Sequence, residues 1–148
     1  MAGSEQRLGV GDVEVLEVWS RLAANSSALL IDVRTQAEWA FVGLPDLSAV
    51  GKQLIAIEWQ MFPSRRLNPS FTGQLGSELE RLGAGTDTDL FFLCRSGGRS
   101  LAAARAMAAA GYRACHNVAG GFEGPPDDKG HRGSTAGWKA AGLPWRQS

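Results

Sequence analysis

Leu90-Phe91-Phe92-Leu93 is an unbroken apolar run, and Cys94-Arg95-Ser96-Gly97-Gly98-Arg99-Ser100 joins it to an alanine-rich stretch, residues 101–110. Four consecutive apolar residues leave no face for solvent. A strand built from them is covered on both sides, as in a parallel sheet held between helices. The alanines predict a narrow helix that packs close to such a sheet, and Gly111 stops it. This strand–loop–helix unit points to an α/β fold.

The rest of the chain repeats the alternation. Ala28-Leu29-Leu30-Ile31, ending at Asp32, reads as a second buried strand, Leu54-Ile55-Ala56-Ile57 as a third, and residues 114–118 as a fourth. Asp12 is placed to cap a helix whose stripe is Val15, Leu16, Trp19, Leu22 and Ala23, although Val13-Glu14-Val15 also fits a short strand. Thr35 is a cap for a short helix holding Glu38 and Trp39. Asn68-Pro69 is a helix start, with Phe71, Leu75, Leu79 and Leu82 on one face and Gly83-Ala84-Gly85 at its end. From Gly120 to about Gly133 the chain is rich in Gly, Pro and Asp and reads as a surface loop. Trp138 and Gly142-Leu143-Pro144-Trp145 are apolar enough to fold back onto the core. No repeat or linker divides the chain, so the expectation is one domain over residues 1–148, with its core at about 12–145.

Composition narrows the function classes. Fifteen basic and fifteen acidic residues give a formal net charge of zero, which offers no surplus for nucleic acid or an anionic membrane surface. No stretch has the ~18–20 apolar residues of a membrane span. The N-terminal MAGSEQRLGV lacks the pattern of a secretory signal, so the expected location is cytoplasmic. Two cysteines, Cys94 and Cys115, without a C-x-x-C, and two histidines, His116 and His131, make a poor metal set.

The chemistry is expected in the loop after the strongest strand, because ligands of open α/β sheets bind beyond the carboxyl ends of strands. Gly97 and Gly98 let that loop curl, and its N–H groups, with the helix N-terminus behind them, form an anion cradle. Cys94 in such a cradle is favoured as the thiolate, and the same groups stabilise a persulfide anion. Arg95 and Arg99 add positive charge that attracts an anionic donor. The competing reading of Cys94 is a small buried hydrophobe, which requires neither the Gly-Gly turn nor two arginines.

With these residues in view, the chain resembles the rhodanese homology domain from about Asp12 to Trp145. The segments that carry the likeness are Leu29-Leu30-Ile31-Asp32-Val33-Arg34 with Glu38-Trp39, Leu93 to Ser100, Asn117-Val118-Ala119-Gly120-Gly121, and Gly137-Trp138 with Ala141-Gly142-Leu143-Pro144. The resemblance implies a three-layer fold with a central, mostly parallel sheet flanked by helices. It implies a ping-pong reaction in which Cys94 takes a sulfane sulfur from thiosulfate or a persulfide and passes it to a thiophilic acceptor, with no cofactor. The partners implied are a small anionic sulfur donor and a small or protein acceptor, with neither nucleic acid nor membrane. Arg95, Ser96, Gly97, Gly98, Arg99 and Ser100 become the candidate anion-binding loop, and Asp32 and Arg34 candidate supports. The six-residue loop from Cys94 to Arg99 is similar to loops that transfer sulfur, whereas phosphatase relatives have one residue more. Gly43-Leu44-Pro45-Asp46-Leu47 departs from the family's Gly-His-Ile-Pro-Gly-Ala by lacking the histidine.

Other residues have plainer readings beside functional ones. Arg34 and Glu38 stand at i and i+4 and are expected to form a local ion pair. Cys115 reads as a packing residue rather than a resolving thiol. Arg65-Arg66 reads as a solvated loop, and Trp59 as core or pocket lining. Cys94 and Arg99 also stand at C-x4-R, one residue short of the C-x5-R pattern of a phosphatase or arsenate reductase, which stays as the alternative; such an enzyme needs a general acid, for which Asp127 and Asp128 are the candidates. A non-enzymatic binding module on the same scaffold is the third alternative.

Overall fold

A computed structural model describes residues 9–147. Five strands form one parallel sheet: β1 (Gly11–Val13), β2 (Leu29–Asp32), β4 (Ile55–Ala56), β5 (Leu90–Leu93) and β6 (Cys115–Val118), in the order β1-β6-β5-β2-β4. A two-stranded antiparallel ribbon pairs β3 (Leu44–Pro45) with β7 (Trp145–Arg146). The helices are α1 (Val15–Ala24), α2 (Gln36–Phe41), α3 (Phe71–Arg81) and α4 (Gly98–Ala109). None of them is long and apolar enough to cross a membrane.

The apolar runs lie where their composition demands. All four residues of β5 are buried, at the centre of the sheet between β2 and β6. Alternate side chains serve two cores. Ile31, Leu90, Phe92 and Cys115 meet α3 (Phe71, Leu75, Leu79) and α4 (Ala103, Ala104, Met107) on one face. Leu30, Phe91, Leu93 and Val118 meet α1 (Val15, Val18, Leu22) and the late residues Phe122, Trp138 and Leu143 on the other. The result is the expected three-layer α/β sandwich, with its sheet parallel throughout.

Several boundaries differ from the sequence reading. Asp12 is not a helix cap: it lies in β1, and Glu14 occupies the N-cap of α1. The buried stripe of α1 is Val15, Val18 and Leu22, which leaves Leu16 60% exposed. α3 starts at Phe71 behind Ser70, because the Asn68 carboxamide oxygen accepts the Ser70 N–H and forms a turn ahead of the helix. α4 begins at Gly98, so the loop proper is shorter than expected. Thr35 caps α2 in a reciprocal box with Glu38, as its spacing predicts.

The stretch 120–133 is only partly a surface loop. Gly121, Phe122 and Gly124 are buried. Phe122 N–H donates to the Cys94 carbonyl (2.8 Å), and Glu123 and Gly124 N–H donate to the Arg95 carbonyl (3.0 and 3.1 Å). The stretch therefore clasps the beginning of the loop after β5. Trp138 is fully buried, and its indole N–H donates to the Pro144 carbonyl (2.7 Å), which folds the C-terminal segment back as expected.

Candidate active site

β5 ends at Leu93 and delivers Cys94, 1% exposed, to the N-terminus of α4. Gly97 turns the chain with φ of 122°, a conformation that favours glycine. That turn aims the Gly97 N–H at Cys94 Sγ (3.1 Å). Ser100, in the first turn of α4, places its Oγ 3.1 Å from the same sulfur. Sγ thus meets a backbone donor and a hydroxyl at the positive end of a helix, an arrangement suited to negative charge on sulfur. Ser96 and Gly98 are exposed at the loop crest.

The two loop arginines have different surroundings. Arg95 is exposed and lines a cleft of about 610 Å³ with Arg65, Met61, Phe62 and Arg99. Arg99 is held by Glu38, with Nη1–Oε1 at 2.6 Å and Nη2–Oε2 at 3.0 Å. Burial pushes the Glu38 carboxyl up, but the hydrogen bonds and charge of Arg99, with the Thr35 N–H, outweigh it and hold Glu38 below its ordinary value. Glu38 reciprocally raises Arg99, against desolvation. Arg99 is therefore largely neutralised in place, and Arg95 is the loop's exposed cation.

The expected Arg34–Glu38 pair does not form. Arg34 precedes the Thr35 cap, so it lies outside the helix and the i,i+4 geometry does not apply to it. Its guanidinium turns back to Asp32, with Nη2–Oδ2 at 2.7 Å and Nε–Oδ1 at 3.0 Å, and both side chains are fully buried. Nη2 also donates to the Gly43 carbonyl (2.7 Å), and the guanidinium carbon sits 4.2 Å from the centre of the Phe122 ring. Through Phe122, which bonds the Cys94 carbonyl, the Asp32–Arg34 pair braces the loop from below.

Asn117 escaped the sequence reading except as part of a resemblance. Its carboxamide N–H groups donate to Asp12 Oδ1 (2.9 Å) and the Gly97 carbonyl (3.1 Å), while its oxygen accepts from Ser100 Oγ (2.5 Å). The parallel register that sets Asp12 opposite Asn117 makes this contact, across 105 positions of sequence. Nothing local in the chain signals it.

The remaining candidates lie apart from this centre. Trp59 packs edge-to-face on Phe71 (5.1 Å) in the core. His116 pairs with Asp89 (2.8 Å), and His131 stands in the late loop, where its backbone N–H donates to Asp127 Oδ1. Asp127 also accepts from Lys129 N–H and Ser134 Oγ, and these bonds hold its carboxyl below the ordinary value. Cys115 is buried, and desolvation pushes its thiol up to about 11. Unfolded cysteine ionises near 9.0. Between these values the unfolded chain has already lost a proton that the folded chain retains, so stability falls as pH rises through that window. Denaturant unfolding at pH 8 and pH 10 is expected to show this decline, by at most about 1.4 kcal/mol per pH unit. Cys115→Ala should flatten the slope, whatever its effect on absolute stability, and an unchanged slope would remove Cys115 as its source.

Against known proteins, residues 10–148 match the model of the STR4 middle domain. The chain belongs to the STR4 middle domain family. A crystal structure of Rv0390 from M. tuberculosis is 43% identical to it, with a TM-score of 0.84 over 94% of this chain and 98% of that one. The uncharacterized protein RP600 of Rickettsia prowazekii is 40% identical over 130 residues, 88% of this chain and 92% of the relative. A protein of Allochromatium vinosum named sulfurtransferase is 29% identical over 113 residues, 76% of this chain and 85% of the relative. The fold of this STR4 middle domain protein is rhodanese-like, as its sequence motifs imply.

Proposed function

We propose that this STR4 middle domain protein is a sulfurtransferase that carries sulfane sulfur on Cys94. The observation that supports this best is the setting of Cys94 Sγ at the start of α4, 3.1 Å from the Gly97 nitrogen, whose N–H it accepts, and 3.1 Å from the Ser100 hydroxyl. The Cys94 thiolate attacks the sulfane sulfur of thiosulfate and expels sulfite, leaving Cys94–S–S⁻. A thiophilic nucleophile then attacks the outer sulfur and releases the thiolate. Sulfur moves without a change in the protein's redox state, so no cofactor is required. An organic persulfide serves as donor in the same way, expelling its thiolate. The exposed Arg95 and Arg65 beside the loop suit an anionic donor.

The phosphatase reading of Cys94 and Arg99 is less well supported. Arg99 is occupied by Glu38, and Asp127, a candidate general acid, is kept ionised by its own loop.

The test is the intact mass after incubation with thiosulfate and removal of the excess. A gain of about 32 Da, one sulfur, that is discharged by cyanide and absent in Cys94→Ser is expected. No gain with thiosulfate or an organic persulfide would overturn the proposal.

A further inference from the structure

The hydroxyl of Ser100 has one proton and two neighbours that want it. Asn117 Oδ1 lies 2.5 Å from Ser100 Oγ and Cys94 Sγ lies 3.1 Å away. The direction in which that proton points is decided two residues further back. The Asp12 carboxylate and the Gly97 carbonyl are acceptors only, so both N–H groups of the Asn117 carboxamide must face them. Its oxygen then faces Ser100, and an amide oxygen carries no proton. The 2.5 Å contact is therefore Ser100 O–H donating to Asn117. Ser100 Oγ is left with only lone pairs for Cys94, and it accepts the S–H of the neutral thiol.

We propose that Asn117, oriented by Asp12, is a positioning residue that holds the Ser100 proton away from Cys94 in the thiol state and yields it when the sulfur becomes anionic. Ionisation of Cys94 removes the S–H donor. A thiolate needs donors, and the Ser100 hydroxyl meets that need by rotating from Asn117 Oδ1 to Sγ. No covalent bond changes in this step. The hydrogen bond to Asn117 is exchanged for one to sulfur, so Asn117 opposes formation of the thiolate while Gly97 N–H favours it. This role refines the reading of Cys94 as the reactive thiol, but it concerns only hydrogen bonds and does not require sulfur transfer. Ser100 and Asn117 are both buried, so water does not substitute freely for either partner.

The test is the rate of iodoacetamide alkylation of Cys94 across pH, located by peptide mass, in the full chain. Asn117→Ala frees the Ser100 hydroxyl for the thiolate. The half-maximum is expected to move down by about one pH unit, giving about tenfold faster alkylation on the acid side of the curve. Ser100→Ala removes the donor and moves it up. In the Ser100→Ala background, Asn117→Ala should add nothing. A purely structural role for Asn117 predicts the opposite sign, because losing the Gly97 carbonyl contact loosens the Gly97 N–H on sulfur. An upward or absent shift in Asn117→Ala, or a downward shift that persists without Ser100, would overturn the proposal. The charged groups around the loop, Arg95, Arg99, Glu38, Asp32 and Arg34, are unchanged in these variants, so the shifts report hydrogen bonding. If Asn117→Ala does not fold, Asp12→Ala compared with Asp12→Asn makes the same test. Both remove the charge, but only Asp12→Ala takes away one of the two acceptors that orient the carboxamide and so weakens its hold on the Ser100 proton, and only it should lower the half-maximum further; equal shifts in the two would count against the relay. Alkylation requires no sulfur donor, so failure here is distinct from failure of the thiosulfate experiment.

Discussion

Arg34→Met is expected to destabilise the protein by about 3–5 kcal/mol, a fall of roughly 10 °C in Tm. Both members of the Asp32–Arg34 pair are fully buried. Removing the guanidinium leaves the Asp32 carboxylate without its counter-charge and the Gly43 carbonyl without the Nη2 donor. It also strips the cation from the face of Phe122. The large cost belongs to the orphaned charge rather than to the pair itself, since desolvating two ions consumes much of their attraction. Replacing both residues, in Asp32→Leu/Arg34→Met, should therefore recover a substantial part of the loss. Recovery will be incomplete, because the Arg34 N–H also donates to Asp32 Oδ1 (3.0 Å) and loses its acceptor. Denaturant unfolding of the two variants measures this. A single variant within about 1 kcal/mol of the parent, or a double variant as unstable as the single, would contradict this account of the pair.

The same pair shows what local sequence can and cannot reveal. The Leu90–Leu93 strand was legible because continuous apolar composition has one physical outcome, burial on both faces. The capping box of Thr35 and Glu38 was legible because its bonds close within four residues. Cys94 at the loop was legible for the same reason: strand, Gly-Gly turn and helix are consecutive. The spacing of Arg34 and Glu38 misled because the pairing rule applies only inside a helix, and Arg34 stands one residue before the cap. Both residues instead found partners defined by tertiary structure or by backbone direction, Asp32 for one and Arg99, 61 positions away, for the other. Asp12 misled in the same manner. A short polar residue before an apolar stripe reads as a cap, whereas a three-residue edge strand pairing with β6 makes it the anchor of Asn117. Contacts set by strand register across the whole chain leave no periodic trace in sequence.

The late glycines make the sharpest case, because their composition suggested solvent and their role is the reverse. Gly121 has φ of +64°, and a Cβ there would lie 2.5 Å from the Cys94 carbonyl oxygen and 2.6 Å from the Arg95 carbonyl carbon and oxygen. Those are backbone atoms of the loop after β5 and cannot swing aside. Gly121→Ala must therefore push the segment off the loop and stretch the bonds from Phe122 to Cys94 and from Glu123 to Arg95. The left-handed backbone and the overpacking together should cost about 2–5 kcal/mol. The effect on chemistry should be larger in proportion. A displacement of about 1 Å at a reacting group costs on the order of a hundredfold in rate, and the loss in sulfur loading of Cys94 should be of that size. Gly83→Ala supplies the control: its φ is +73°, but nothing lies within 4 Å of its Cβ. It should show only the backbone cost, about 1 kcal/mol, with loading unchanged. Thiosulfate-loading rates of the two variants, measured below their unfolding transitions, separate strain from clash. If Gly121→Ala loads sulfur within threefold of the parent, the close approach of this segment does not seat Cys94. If it fails while Gly83→Ala does not, the glycine-rich stretch is a structural part of the active site, kept free of side chains so that backbone can clasp backbone.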